Sequence, residues 1–351
     1  MKEKNLFTSW TLTSKIVIIE MSFNGGGNMK KITDELAMIY KTCKLYYEDG
    51  NTQNEIAEIL GISRPTVARL LKGGKEQGIV RFELFNPFDN DFFDIAQKIE
   101  KKYNLREVIV VPDESDEYIQ KKEVAKAAAY YFDRILEKDN IIGFSMGTTV
   151  KLVAEHVTKR QNLNLTFLPL IGGTGQIQQE IHPNDIVLDF VKKYEGNFKL
   201  LHAPAIVSNK EIKNEFLKEK NIADIISFVK KCDIALVGIG APLDKTSTMM
   251  KTGYFDKAEL EEFKQNSVVG DICLQFYNKK GENSNFEFNK RVIGLNLNDL
   301  KKIKTVIGVA AGVEKKNAVI GALNGNYLGV LVTNYSLAKE IEKYMERSEQ
   351  G

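Results

Sequence analysis

The sequence predicts an α/β protein in linked parts: a helix-turn-helix domain over 29–85, a linker at 86–90, and a parallel-sheet α/β domain over 91–346. Three observations predict this. The window 53–72 satisfies helix-capping, turn and packing rules at once. Downstream, apolar runs of strand length alternate with helical stretches. Several of those runs end in glycines, as buried parallel strands entering tight turns do.

Composition sets the outer bounds. A chain of 351 residues that is 43% hydrophobic and 27% charged can bury a sizeable core, which excludes a disordered or collagen-like chain. With 49 Lys+Arg against 47 Asp+Glu the net charge is +2, too little for coating nucleic acid by bulk charge. A local basic surface is still compatible with it. The three cysteines, Cys43, Cys232 and Cys273, are scattered and form no CxxC, which argues against a disulfide framework or zinc ribbon and fits a reducing cytoplasm. Ile16–Ile19 stops at Glu20, and a membrane-spanning helix needs about 20 apolar residues. The same run is too short for a signal-peptide core. A cytoplasmic protein without a membrane partner is expected.

Residues 1–28 lack periodicity and end in Gly25-Gly26-Gly27-Asn28 before Met29. They fit a flexible leader, or a translated ribosome-binding region ahead of a true start at Met29; the second reading is preferred. Disorder is expected under both.

From Met29 a helix is expected, with Ile32, Leu36, Ile39, Tyr40 and Cys43 on one face. Glu48-Asp49-Gly50-Asn51 stops it. Thr52 and Glu55 then form a capping-box pair. Ala57 is small where helices approach, and Gly61 can turn the chain through a left-handed conformation. Ser63 caps the second helix, and Pro65 is tolerable in its first turn. Ile56, Leu60, Ile62, Val67, Leu70 and Leu71 supply the shared core. These intervals are those of a DNA-binding helix-turn-helix. Ser63, Arg64, Thr66 and Arg69 are expected to face the major groove of double-stranded operator DNA. Lys72, like Lys75, is expected to meet phosphates. Gly73-Gly74 and Gly78 are read as loosening the helix, and 79–85 as a strand, a wing or the start of a connector.

Strands are expected at 107–112, 140–145, 165–170, 234–240, 305–312 and 327–333, with a helix over 119–137 and another after the last strand. Buried strands alternating with helices give a Rossmann-like parallel sheet, whose ligands bind at the carboxyl ends of the strands. Gly143-Phe144-Ser145-Met146-Gly147-Thr148-Thr149 there offers N–H groups, hydroxyls and a helix start to an anion. It is neither a Walker loop nor GxGxxG, and no cofactor is implied. Together with the other glycine turns it is read as a small-molecule anion site. His156, His182 and His202 lack metal spacing, so no metal is expected. The charge run Lys339–Arg347 is read as a solvated helix face.

The helix-turn-helix followed by "LLKGGKEQGIV", then "GFSMGTTV", "LPLIGG", "HAPA", "DIALVGIGA", "GDICLQFYNKKG", "RVIGLNLNDL" and "VIGVAAGVEKKNAVIGAL", resembles the SorC/DeoR type of bacterial sugar-responsive transcription regulators. The likeness covers essentially all of 30–345. It implies an effector domain similar to glucosamine-6-phosphate deaminase and ribose-phosphate isomerase folds. It implies a phosphorylated sugar as effector and a homo-oligomer, a tetramer, on a palindromic operator. It also implies roles for residues. Gly147, Thr148 and Thr149 would hold the phosphate, Lys315 would pair with it, and Lys251 would add a second positive charge. Gly172 and Gly173 would let the chain approach the sugar, Asn184 would bond a hydroxyl, and Asp271 would accept from sugar hydroxyls. Two departures from the family pattern, Ala311 before Gly312 and Met146 in place of a tryptophan, bear on the shape of the sugar pocket.

Three functions compete. The first is a regulator controlled by a phosphorylated sugar. The second is a sugar-phosphate isomerase or deaminase with a DNA-binding appendage. It needs a positioned acid and base, and beyond Asp271 no His or Glu is read beside the glycine loops. The third is a DNA-binding module with a structural domain. The regulator, not an enzyme, is the expectation.

Overall fold

The computed structural model describes residues 29–82, 91–173, 181–244, 247, 255–283 and 286–349. The expectations for 1–28, for residues 83–85 of the expected strand or connector, for the linker at 86–90 and for Lys251 lie outside them. The chain divides into two units after Asp89.

The first unit contains α1 (Met29–Tyr47), α2 (Gln53–Leu60) and α3 (Arg64–Glu76). Local chemistry sets their ends. Thr52 Oγ1 accepts from the Glu55 N–H at 3.3 Å, and Glu55 returns a carboxylate to the Thr52 N–H at 2.7 Å. Gly61 closes α2 at φ 62°, ψ 35°, a left-handed cap. Ser63 Oγ accepts from the Thr66 N–H at 3.3 Å to start α3. Ile39, Cys43, Ile56, Val67, Leu70, Leu71 and Val80 form the core.

Three expectations change here. Tyr40 is exposed, and Thr42 takes the buried position by closing its hydroxyl onto the Met38 carbonyl at 2.8 Å. Gly73-Gly74 does not loosen α3, which continues to Glu76. Gly74 is instead a packing position: a Cβ there would lie 2.3 Å from Cys43 Sγ, so glycine lets α3 approach α1. Residues 79–82 are bends and irregular chain rather than strand, with Val80 buried and its N–H bonded to the Gly74 carbonyl at 3.1 Å.

The second unit runs, among the described residues, α4 (Phe92–Tyr103), β1 (Glu107–Val111), α5 (Glu117–Ile135), β2 (Ile141–Phe144), α6 (Thr148–His156), β3 (Thr166–Pro169), α7 (Pro183–Tyr194), β4 (Asn197–Phe198), α8 (Lys210–Phe216), α9 (Lys220–Val229), β5 (Ile234–Gly238), α10 (Lys257–Gln265), β6 (Val268–Ile272), β7 (Gln275–Asn278), α11 (Leu297–Leu300), β8 (Thr305–Ala310), α12 (Lys316–Asn324), β9 (Val330–Asn334) and α13 (Tyr335–Glu349). A seven-stranded sheet in the order β1-β9-β8-β5-β2-β3-β4 is parallel throughout.

Both faces of the sheet are covered, which is why its strands read as continuous apolar runs. Alternation along each strand divides the core. Ile234, Leu236, Ile307, Val309, Val330 and Val332 pack with residues of α5, α6 and α7. Ala235, Val237, Val306, Ala310 and Leu331 pack with residues of α4, α12 and α13 on the other face. Phe144 and Phe190 stack at 4.0 Å within the first layer. The strands at 107–112, 140–145, 165–170, 234–240, 305–312 and 327–333 are all present in shorter form.

The antiparallel hairpin β6–β7 was not expected. Its two turn residues, Cys273 at φ 54° and Leu274 at φ 55°, carry side chains in the left-handed region that such turns normally fill with Asn-Gly. The run Lys339–Arg347 is also not wholly solvated. Glu342 is buried and bonded to Lys98 at 2.5 Å and to Lys339 at 3.1 Å, while Lys339 reaches Asp91 at 2.6 Å. The last helix is thereby tied to α4, through which the chain enters this unit.

Candidate functional site

The crevice of the second unit follows from its topology. After β2 the chain turns into α6 on one face of the sheet. After β5 it goes on to α10 and the β6–β7 hairpin, whose Phe263, Ile272 and Phe276 pack on the opposite face. Neighbouring strands whose connections leave on opposite faces open a crevice at their carboxyl ends. A cleft of about 120 Å³ lies there, over the ends of β2, β5 and β8.

The turn after β2 is fixed by Ser145. Its buried hydroxyl accepts from the Gly238 N–H at 2.9 Å and donates to the Met146 carbonyl at 3.0 Å, which stitches this turn to the end of β5. Gly147 follows at φ 134°, a conformation that favours glycine. It caps α6 without a side chain, and the first helical bond runs from the Lys151 N–H to the Gly147 carbonyl at 3.0 Å. The first-turn N–H groups of Thr148, Thr149 and Val150 therefore have no partner within the helix, and all three residues line the cleft.

Opposite them, the chain after β8 turns at Gly312, φ 100°, whose N–H donates to Asn334 Oδ1 at 2.9 Å. A 3₁₀ turn, Val313–Lys315, then leads into α12. Lys315 is half-buried in the cleft. Burial, followed by the neighbouring Lys121 ammonium, holds its own ammonium below the ordinary lysine range. Among the described residues it makes no salt bridge. Asp271 enters from β6 and is locked to β5 by a bridge between its backbone and that of Gly240. Burial pushes its carboxyl up to about 6, against the opposing pull of the Leu274 N–H and of Lys315. The cleft thus offers N–H donors that have no partner within their helix, a cation and an acceptor carboxyl, which together suit an anionic, hydroxylated small molecule.

Of the residues singled out from sequence, Gly147, Thr148, Thr149, Asp271 and Lys315 meet in this cleft. Gly172, Gly173 and Asn184 are not among its lining. Gly172 is pressed against the carbonyls of Ala203 and Pro204, and Gly173 against the His182 ring. Asn184 spends both ends of its amide on the backbone of Leu201, at 3.3 and 3.2 Å. Sequence reading missed Glu117 and Lys121 of α5, Gly240, and Glu314. Glu117 and Glu314 also correct the expectation that no glutamate borders the glycine loops.

In the first unit Ser63, Arg64, Arg69 and Lys72 are exposed on α3, and Thr66 is half-buried. The hydroxyls of Ser63 and Thr66 lie 2.8 Å apart and bond each other. Lys72 pairs loosely with Glu76 at 3.6 Å, and Lys75 sits 4.9 Å over the ring of Phe82. Arg64 and Arg69 project without a carboxylate partner among the described residues.

A helix-turn-helix unit joined to an α/β domain with an anion-receptive cleft defines a ligand-responsive regulator of transcription. Residues 89–342 match the family model described as "Putative sugar-binding domain". The chain is 31% identical to the sorbitol operon regulator of Klebsiella pneumoniae over 316 residues, covering 89% of this chain and 99% of that one. It is also 31% identical to the deoxyribonucleoside regulator of Bacillus subtilis (strain 168), covering 86% and 96%. Among solved structures it resembles the full-length sorbitol operon regulator SorC from Klebsiella pneumoniae, with a TM-score of 0.68, 32% identity and coverage of 87% and 98%. A DeoR family transcriptional regulator from Listeria monocytogenes gives a TM-score of 0.66, 36% identity and coverage of 72% and 100%. The chain belongs to the SorC family of sugar-binding transcriptional regulators. These relatives are regulators rather than enzymes, and the two cleft glutamates do not change that class.

Proposed function

We propose that this regulator binds double-stranded operator DNA in the cytoplasm through Ser63, Arg64, Thr66, Arg69 and Lys72, and that a phosphorylated sugar in the cleft controls that binding. The observation that carries the effector half is that one cleft brings together Lys315, which makes no salt bridge among the described residues, and the helix start at Gly147, which has no side-chain cap. A phosphate satisfies both at once, since it carries a charge of about −1.5 to −2 and three strong acceptor oxygens. Asp271 faces the same space and accepts from a sugar hydroxyl. The names of the relatives, which refer to sorbitol and to deoxyribonucleosides, fit a sugar or sugar-derived compound.

The DNA half rests on the exposed, basic surface of α3. Recognition helices of a dimer read half-sites about 34–36 Å apart, so a homo-oligomer, a tetramer in our reading, couples the effector to DNA through subunit rotation. The effector must bind the two arrangements unequally. Calorimetric titration of the full chain with matched phosphorylated and unphosphorylated sugars tests the cleft. Tight binding of one phosphorylated compound, lost in Lys315→Met, is expected; equal binding of both forms would contradict it.

A further inference from the structure

We infer that α13 couples the effector cleft to the place where the chain enters this unit, through Lys316, Glu340, Lys339 and Asp91. The inference rests on the reading of the cleft as the effector site. Lys315 lines the cleft, and Lys316, the next residue, opens α12. The Lys316 ammonium lies 2.5 Å from Glu340 Oε2 on α13. Lys339 directly precedes Glu340, and its ammonium lies 2.6 Å from Asp91 Oδ2. Asp91 stands at the start of the unit, just before α4. Ion pairs and peptide bonds thus run without a gap from the cleft to the chain entry.

Each link is held from more than one side. The Lys316 and Glu340 side chains are 26% and 25% exposed, and Lys343 meets the same carboxylate at 2.7 Å. Hydrogen bonds from Lys316 and then Lys343 hold that carboxyl at about 2 against an ordinary 4.5, so it stays charged at neutral pH. A second tie runs beside the first. The Gly312 N–H donates to Asn334 Oδ1, and Asn334 directly precedes α13. The turn that carries Lys315 is therefore fastened to α13 at both ends. On the far side, Asp91 is the N-cap residue of α4, where a carboxylate ordinarily accepts from the first-turn N–H groups of its own helix. Its side chain makes no such bond. Lys339 takes the carboxylate instead, and Tyr335 of α13 adds to the hold. Ile95 and Ile99 of α4 belong to one buried core with Leu337 and Ile341 of α13. Close-packed side chains pass a shift on rather than absorb it. A phosphate that draws on Lys315 shifts a turn that α13 holds at both ends, and α13 carries the shift to Asp91.

Inorganic phosphate is the probe, added to saturation to the full chain, and amide hydrogen exchange is the readout. In the wild type, phosphate is expected to change exchange in the first turn of α6, which lines the cleft, and also in the first turn of α4, by about fivefold or more. Lys316→Met and Asp91→Asn are each expected to keep the response in α6 and lose the one in α4. Asparagine keeps the size and capping ability of Asp91, so misfolding does not account for its result. Lys98→Met breaks the pair with Glu342, which also joins α4 to α13 but lies outside the run, and should keep both responses. If α6 responds in the wild type and α4 does not, the coupling is overturned and the anion site stands. If α4 still responds in Lys316→Met and Asp91→Asn, or if Lys98→Met abolishes the α4 response as they do, the assignment to these four residues is overturned. If neither helix responds in the wild type, the anion site falls and the coupling with it.

Discussion

Gly240 and Asp271 hold each other through two backbone hydrogen bonds, Gly240 N–H to the Asp271 carbonyl at 2.9 Å and the return bond at 3.1 Å. The bridge joins the end of β5 to the β6–β7 hairpin and aims the Asp271 carboxyl into the cleft. It leaves no room for a side chain: a Cβ on Gly240 would lie 2.0 Å from Asp271 Oδ1. Gly240→Ala is therefore expected to push the carboxyl out of place. Sugar-phosphate affinity, read by calorimetry, should fall at least tenfold, while operator affinity in the absence of sugar stays at the wild-type value.

Asp271 also gives the second unit a pH signature. Its carboxyl titrates at about 6 in the fold against an ordinary 3.8. Between those values the folded state holds more protons than the unfolded one, so the group's contribution to stability falls as pH rises through that window and is level above it. The full penalty above pH 6 is at most about 3 kcal/mol. Asp271→Asn keeps an oxygen for the Leu274 N–H and removes the charge. In melts from pH 4 to 7 the variant should match wild type near pH 4 and exceed it near pH 7. Parallel pH profiles would contradict the burial of this carboxyl.

In the first unit, Gly74 and Cys43 share one space at the contact of α3 with α1. Gly74→Ala overpacks it and is expected to cost about 1–3 kcal/mol of stability. Cys43→Ala alone leaves a small cavity. The double variant should recover part of the loss, so the two changes should be non-additive when unfolding is followed by denaturant titration.

The exposed face of α3 separates two kinds of DNA contact. Arg69→Ala and Arg64→Ala are each expected to cost about 1–3 kcal/mol on the operator and to relax its sequence preference. Lys72→Ala should weaken all sequences alike and lower the salt slope by about one unit. Anisotropy titrations on operator and scrambled duplexes at several salt concentrations distinguish the two.

The parts that were legible in sequence are those that local rules decide. Thr52, Glu55, Gly61 and Ser63 each satisfy their cap or turn from residues within one helical turn, and all four sit as their types required. The buried strands were legible because both faces are covered, which leaves no polar interruption. The β6–β7 hairpin was not, because its turn uses Cys273-Leu274, and tertiary packing of those two buried side chains overrides the turn chemistry. Gly74 was misread because its partner, Cys43, is remote in sequence. Glu117 and Lys121 carry no local signal of a site in the sequence; only the fold brings the start of α5 to the cleft over the ends of β2, β5 and β8. Asn184 and the pair Gly172-Gly173 carry motif positions whose atoms are occupied by neighbouring backbone and by His182.

The most direct measurement is fluorescence anisotropy of the full chain on DNA from upstream of its own gene cluster, with and without a panel of sugar phosphates. Tight binding that one phosphorylated sugar shifts, with the shift abolished in Lys315→Met and the DNA affinity retained, is the expected result. Operator binding that no phosphorylated sugar alters, or an effector response that survives Lys315→Met unchanged, would contradict control of the operator through this cleft.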